Sequence, residues 1–107
     1  MKALVKTQKG DGFFEIMDRP IPEINDDEVL IKVAYTGICG TDIHIYHDEF
    51  PYWPPVIIGH EFSGTVVKVG SNVSDYTVGD NVVGEPHNLH CGKCHLCRSG
   101  KIQLCVD

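Results

Sequence analysis

Glu28-Val-Leu-Ile-Lys-Val-Ala-Tyr35 is the stretch that decides the fold, and it runs directly into Thr36-Gly-Ile-Cys-Gly-Thr-Asp-Ile-His44. Val29, Ile31, Val33 and Tyr35 alternate with Leu30, Lys32 and Ala34, the period of two expected of a strand. The alternation stops after Thr41, where Asp42 to His47 reads as a short helical turn capped by Thr41 or Asp42. A strand therefore ends on a glycine, a thiol, a hydroxyl, a carboxylate and an imidazole in close succession.

Outward from that stretch the chain reads as short strands and turns. Residues 2–7 form an apolar run, Lys9-Gly-Asp-Gly12 a turn, and Phe13 to Met17 the returning arm of a hairpin. Asp18 to Glu23 is extended by Pro20 and Pro22, which fix φ and remove donors. Phe50-Pro-Tyr-Trp-Pro-Pro55 is a loop. In it Tyr52 and Trp53 serve either as anchors against the core or as a wall of a cleft. Val56-Ile-Ile58 opens onto Gly59-His-Glu61, Phe62 to Val69 is a second long strand, and Val78 to Val82 turns into a third. Many short strands, Gly/Pro turns and little helix predict an all-β, partly open barrel or sandwich.

From Gly84 the apolar periodicity disappears, and nothing up to Asp107 can bury a core of its own. Cys91-x2-Cys94-x2-Cys97-x7-Cys105 supplies what hydrophobic burial does not. Four thiolates suit zinc in a closed tetrahedral site with no position left for chemistry, so this lobe, about residues 85–107, is read as structural. The last spacing and the missing proline after Cys105 argue against a ferredoxin-type cluster. His90 and His95 are read as exposed polar residues. Cys39, His60 and Glu61 form a different set: three ligands of mixed type that leave a fourth position open, the pattern of a catalytic zinc. The alternatives are a buried apolar Cys39 and a core His60.

The bulk composition narrows the function. In 107 residues, 9 Lys and Arg against 15 Asp and Glu give a net charge of −6, which argues against a nucleic-acid partner. No apolar run approaches the roughly 18 residues of a membrane span. Five cysteines, an odd number, with C-x-x-C spacing fit metal ligation in a reducing compartment, so the cytoplasm is the expected location.

These motifs together resemble the zinc-containing alcohol dehydrogenases of the medium-chain dehydrogenase/reductase superfamily. Gly59-His-Glu-Phe-Ser-Gly64, followed by Gly70 and Val73, resembles the family's zinc pattern; Cys39-Gly-Thr-Asp-Ile-His44 resembles its first-ligand segment, and the cysteine lobe its structural-zinc loop. Thr41-Asp-Ile-His-Ile-Tyr46 and Gly84-Glu-Pro-His87 are most similar to threonine and sorbitol-type polyol dehydrogenases. The resemblance covers the whole chain and implies one N-terminal GroES-like catalytic domain over residues 1–107. It implies that Cys39 and His60 ligate catalytic zinc. Glu61 would be a ligand or a carboxylate that swings behind the metal, Thr41 would bond the substrate hydroxyl, and His44 would relay its proton to solvent. Zinc would acidify the alcohol and hold the alkoxide while hydride leaves for NAD(P). Either His87 or His90 would take the place of a substrate-facing histidine.

The same resemblance implies two zinc ions per full-length chain, a small-molecule alcohol substrate and a homotetramer. No G-x-G-x-x-G follows a strand here, so the Rossmann cofactor domain is expected outside this chain, Asp107 is expected to be a boundary, and these residues alone are expected not to turn over. The competing reading is a stand-alone zinc-binding interaction module without catalysis.

Overall fold

A computed structural model describes residues 1–86 and 90–105. The apolar run at the N-terminus forms β1 (Lys2–Lys6), which pairs antiparallel with β2 (Phe14–Asp18) and, on its other edge, with β4 (Val56–Ile57). A second antiparallel sheet takes β3 (Val29–Gly37), β5 (Glu61–Val69) and β6 (Asn81–Val83) in the order β3-β5-β6. The chain is thus mainly β, built as two open three-stranded sheets rather than a closed barrel.

The pairing of β3 with β5 carries two register shifts: at Leu30/Ile31 the extra residue is Val67 of β5, and between Val33 and Tyr35 it is Ala34 of β3, which breaks the strict alternation expected there. A bulge puts two residues opposite one and turns the strand, so period two cannot survive it. Leu30, Ile31, Lys32 and Val33 all line the cleft between the sheets, while Tyr35, after the bulge, stands 80% exposed. That cleft has a volume of about 710 Å³ and runs from Ala3 and Leu4 on β1 across to Phe62 and Val67 on β5. The closed core is correspondingly small: Ala3, Val5, Tyr52 and Val66.

Between β3 and β4 in the chain comes a short helix, α1 (Gly40–Tyr46). It starts earlier than the sequence suggests, and its cap is Cys39 rather than Thr41 or Asp42. Asp42 instead occupies the third helical position and its Oδ2 accepts the Cys39 N–H at 2.9 Å, the back-reaching half of a capping box. At the other end of the helix, Lys6 is fully buried and its ammonium donates to the carbonyls of Gly10, Gly12 and Tyr46 at 2.6, 2.6 and 3.0 Å. Phe13, Phe14, Tyr46 and Tyr52 surround it, with ring centroids 5.3 to 6.0 Å away. In the Phe50–Pro55 loop Tyr52 is buried as an anchor and Trp53 is 82% exposed, and both rings also line a cleft of about 340 Å³ that Asp42 and His60 share.

Among its described residues the cysteine segment holds only α2 (His95–Arg98) and a 3-10 turn (Ile102–Leu104), with no buried residue in either. His87 lies outside the described residues; His90 and His95 are exposed, as expected. Among the described residues no helix is long and apolar enough to cross a membrane.

Candidate metal centre

The β3–β5 pairing assembles the open site. Its terminal register sets Gly37 opposite Glu61, and the Thr36 hydroxyl donates to the Glu61 carbonyl at 3.2 Å. The residues just beyond each strand end are then neighbours. Gly59, at φ 103°, makes the turn between β4 and His60 in a conformation that a side chain disfavours. Sγ of Cys39, a ring nitrogen of His60 and a carboxylate oxygen of Glu61 all lie within 4.8 Å of one another. Cys39 and His60 are half-buried and Glu61 is exposed. Thr41, in the first turn of α1, has Oγ1 3.8 Å from the Cys39 sulfur, which donates to it. His44 follows one turn later on the same helix, with its Nδ1 at Glu49.

Asp42 belongs to this group, and sequence reasoning considered it only as a cap. It is 3% exposed, and its Oδ1 has no hydrogen-bond partner among the described residues. That oxygen lies 3.7 Å from Nδ1 of His60, beyond hydrogen-bond length but facing it. A buried carboxylate at one ring nitrogen leaves the other for a metal and fixes the ring, the arrangement that metal-ligating histidines require. The orphaned oxygen is therefore an observation that fits a metal at His60. The sequence signal was available: an acidic residue three positions after a strand-ending cysteine is where a capping box places its carboxylate.

The second set, Cys91, Cys94, Cys97 and Cys105, brings its four sulfurs within 4.8 Å of one another. Backbone N–H groups converge on the sulfurs. Lys93 and Cys94 donate to Cys91 Sγ at 3.3 and 3.2 Å, Cys97 to Cys94 Sγ at 3.4 Å, and Cys91 to Cys105 Sγ at 3.3 Å. Such donors favour the thiolate form. Gly92, at φ 70°, turns the chain inside the first C-x-x-C. Burial pushes the Cys97 thiol up to about 12, with the adjoining cysteines adding to the effect, so a cation is needed to deprotonate the group. Lys93, Arg98 and Lys101 are all exposed around the lobe. The donor set and its N–H···S bonds fit a closed tetrahedral zinc.

The fold and these two clusters define a zinc-type dehydrogenase domain. Residues 25–107 match the alcohol dehydrogenase GroES-like domain family, and the chain belongs to that family. It is similar to a sorbitol dehydrogenase of Halalkalibacterium halodurans, 50% identical over 105 residues that cover 98% of this chain and 31% of the relative. An L-threonine 3-dehydrogenase of Francisella tularensis subsp. holarctica is 49% identical over 111 residues, with 98% and 31% covered. Among solved structures, a cobalt- and zinc-bound thermostable alcohol dehydrogenase of Pyrobaculum aerophilum superposes with a TM-score of 0.89 at 32% identity, over 99% of this chain and 32% of that one. The chain thus spans about a third of the length of the relatives it matches.

Proposed function

We propose that this chain is the zinc-binding catalytic portion of a dehydrogenase that oxidises a secondary alcohol, a polyol such as sorbitol or L-threonine, with NAD(P) as hydride acceptor. The observation that carries the reading is the convergence of Cys39, His60 and Glu61 within 4.8 Å at the end of β3 and the start of β5, with Thr41 and His44 on the adjoining helix. Cys39, His60 and, when it swings inward, Glu61 would hold the open zinc; Cys91, Cys94, Cys97 and Cys105 would hold the closed one.

A zinc ion in the open set would supply Lewis acidity to the substrate hydroxyl. The chain's own residues supply the rest. Asp42, whose Oδ1 faces Nδ1 of His60, would orient that ring. The Thr41 hydroxyl binds the substrate hydroxyl and receives its proton. His44 takes that proton onward at its ring and delivers it to solvent, which its exposed position at the end of α1 allows. Cys39, as the cap of α1, ties the ligand position to the helix that carries Thr41 and His44, so ligand, hydroxyl and relay move as one unit.

The test is a chimaera in which this chain replaces the matching residues of the H. halodurans sorbitol dehydrogenase. The reading predicts nicotinamide-linked oxidation of sorbitol or L-threonine that is abolished by Cys39→Ala. Undiminished turnover in the Cys39→Ala chimaera would rule it out.

A further inference from the structure

The C-terminal end of α1 is a Schellman motif with an unusual closing pair. The Asp48 N–H bonds the Ile45 carbonyl at 3.1 Å, and the Glu49 N–H reaches back to the His44 carbonyl at 2.8 Å. This is the paired bonding that ends many helices, with the residue between in the left-handed region. That residue is Asp48, at φ 60°. Glycine is the usual occupant because it carries no penalty there, but aspartate is among the side chains that tolerate it. The conformation is held from outside, since the Asp48 carboxylate accepts from the hydroxyl of buried Tyr52 at 2.5 Å. His47, on the other side, bonds Asp11 through Nδ1 at 2.6 Å.

The motif brings the side chains of its outer residue and of the residue five positions earlier together, and that contact is ordinarily hydrophobic. Here it joins Glu49 to His44, with Oε2 3.1 Å from Nδ1. The side chains are 61% and 58% exposed, so nothing forces a polar pair to form for burial's sake. Backbone geometry delivers the carboxylate to one particular ring nitrogen. Which imidazole nitrogen carries the proton is set by the hydrogen bond that the other makes, and a carboxylate at Nδ1 requires Nδ1–H. Among the described residues no partner meets Nε2.

We propose that Glu49 is a positioning residue for His44: it holds the ring with the proton on Nδ1 and leaves Nε2 as the nitrogen that accepts the proton leaving the substrate. The inference rests on the relay reading of His44 given above. In the step itself, Nε2 gains the proton released through Thr41, the ring becomes an imidazolium, and the Glu49 carboxylate at Nδ1 stabilises that charge. The proton then returns from the ring to water, and the Nδ1–H form is restored. Nothing is oxidised or reduced in this transfer.

The experiment reads the tautomer directly. Long-range 1H–15N correlation spectra of the histidine-labelled, zinc-loaded chain are recorded at a pH where the imidazole is neutral, with His44 assigned by its disappearance in His44→Gln. The native chain is expected to show His44 mainly as Nδ1–H. Glu49→Met keeps the length and the backbone motif but removes the acceptor. It is expected to lower the ratio of Nδ1–H to Nε2–H by roughly two- to fivefold, the range for an exposed carboxylate contact. Glu49→Gln, whose amide oxygen still accepts, is expected to hold the native ratio more nearly. An unchanged ratio in Glu49→Met overturns the proposal. The readout needs no turnover, so it stands apart from the relay reading. That reading fails separately if His44→Gln in the chimaera leaves oxidation of the alcohol unaffected.

Discussion

Replacing Lys6 by methionine tests how the site helix is held. Lys6 Nζ makes three hydrogen bonds, to Gly10, Gly12 and Tyr46, and the residue is fully buried. Methionine keeps an unbranched apolar stem but donates nothing. The Tyr46 carbonyl retains the Gly12 N–H at 2.8 Å, so two glycine carbonyls lose their donor. Each unsatisfied carbonyl costs roughly 1–3 kcal/mol, and bonds to a charged donor lie at the upper end of the hydrogen-bond range. Against this, removing a buried ammonium relieves its desolvation. Lost stacking of the cation on Phe13, Phe14, Tyr46 and Tyr52 adds to the cost. The net expectation is a loss of about 3 kcal/mol, with the two carbonyls as the dominant contribution. In a domain of this size that corresponds to a fall in Tm of roughly 12–24 °C. Thermal and urea denaturation of the zinc-loaded protein measure it. A Lys6→Met chain within about 0.5 kcal/mol of native stability, the scatter of ordinary surface substitutions, would refute the account of Lys6 as the pin of α1.

Three further outcomes follow from the same geometry. Asp42→Asn removes the carboxylate behind His60 and is expected to weaken metal binding at the open set about 10–100-fold while leaving the four-cysteine set unchanged, as read by chelator competition. Burial and the bond to Asp48 push the Tyr52 phenol up to about 12 from 10.0, and that bond holds Asp48 below the usual carboxylate range. Because the folded value lies above the unfolded one, the stabilisation is complete below pH 10 and is lost as pH rises towards 12. Tyr52→Phe should therefore melt below the native chain at neutral pH, with the difference narrowing through that window; a difference that stays constant across it would contradict the assignment. Chelation of the four-cysteine metal is expected to collapse the amide signals of residues 91–105 while those of β1 to β6 persist, since no buried side chain holds α2 or the 3-10 turn. Unchanged signals in 91–105 would show that the lobe folds without metal.

Strands were legible wherever alternation or an apolar run met a glycine or proline. The hairpin of β1 and β2 and the long strand β5 fall within a residue or two of where the pattern puts them. The bulges in the β3–β5 pairing were not legible, because register depends on both strands and nothing in Glu28–Tyr35 alone records it. Cys39, His60 and Glu61 could be read as a set from residue type and order, and the β3–β5 register then supplied the reason they meet. Asp42, Lys6 and Glu49 were harder, because each acts through a long-range or turn-specific contact. Lys6 falls inside the apolar run of residues 2–7 with nothing local to mark it, yet the two glycines of the following turn and the end of α1 close around its amine. The pairing of Glu49 with His44 requires a helix that stops at Tyr46, and the residues alone did not fix that end.

The central claim is that this chain carries two distinct zinc sites, one open and one closed. The most direct measurement is zinc per chain by elemental analysis after extensive buffer exchange, for the native protein and for Cys39→Ala. The account predicts two zinc ions in the native chain and one in Cys39→Ala. Equal zinc content in the two proteins would contradict it, because Cys39, His60 and Glu61 would then hold no metal.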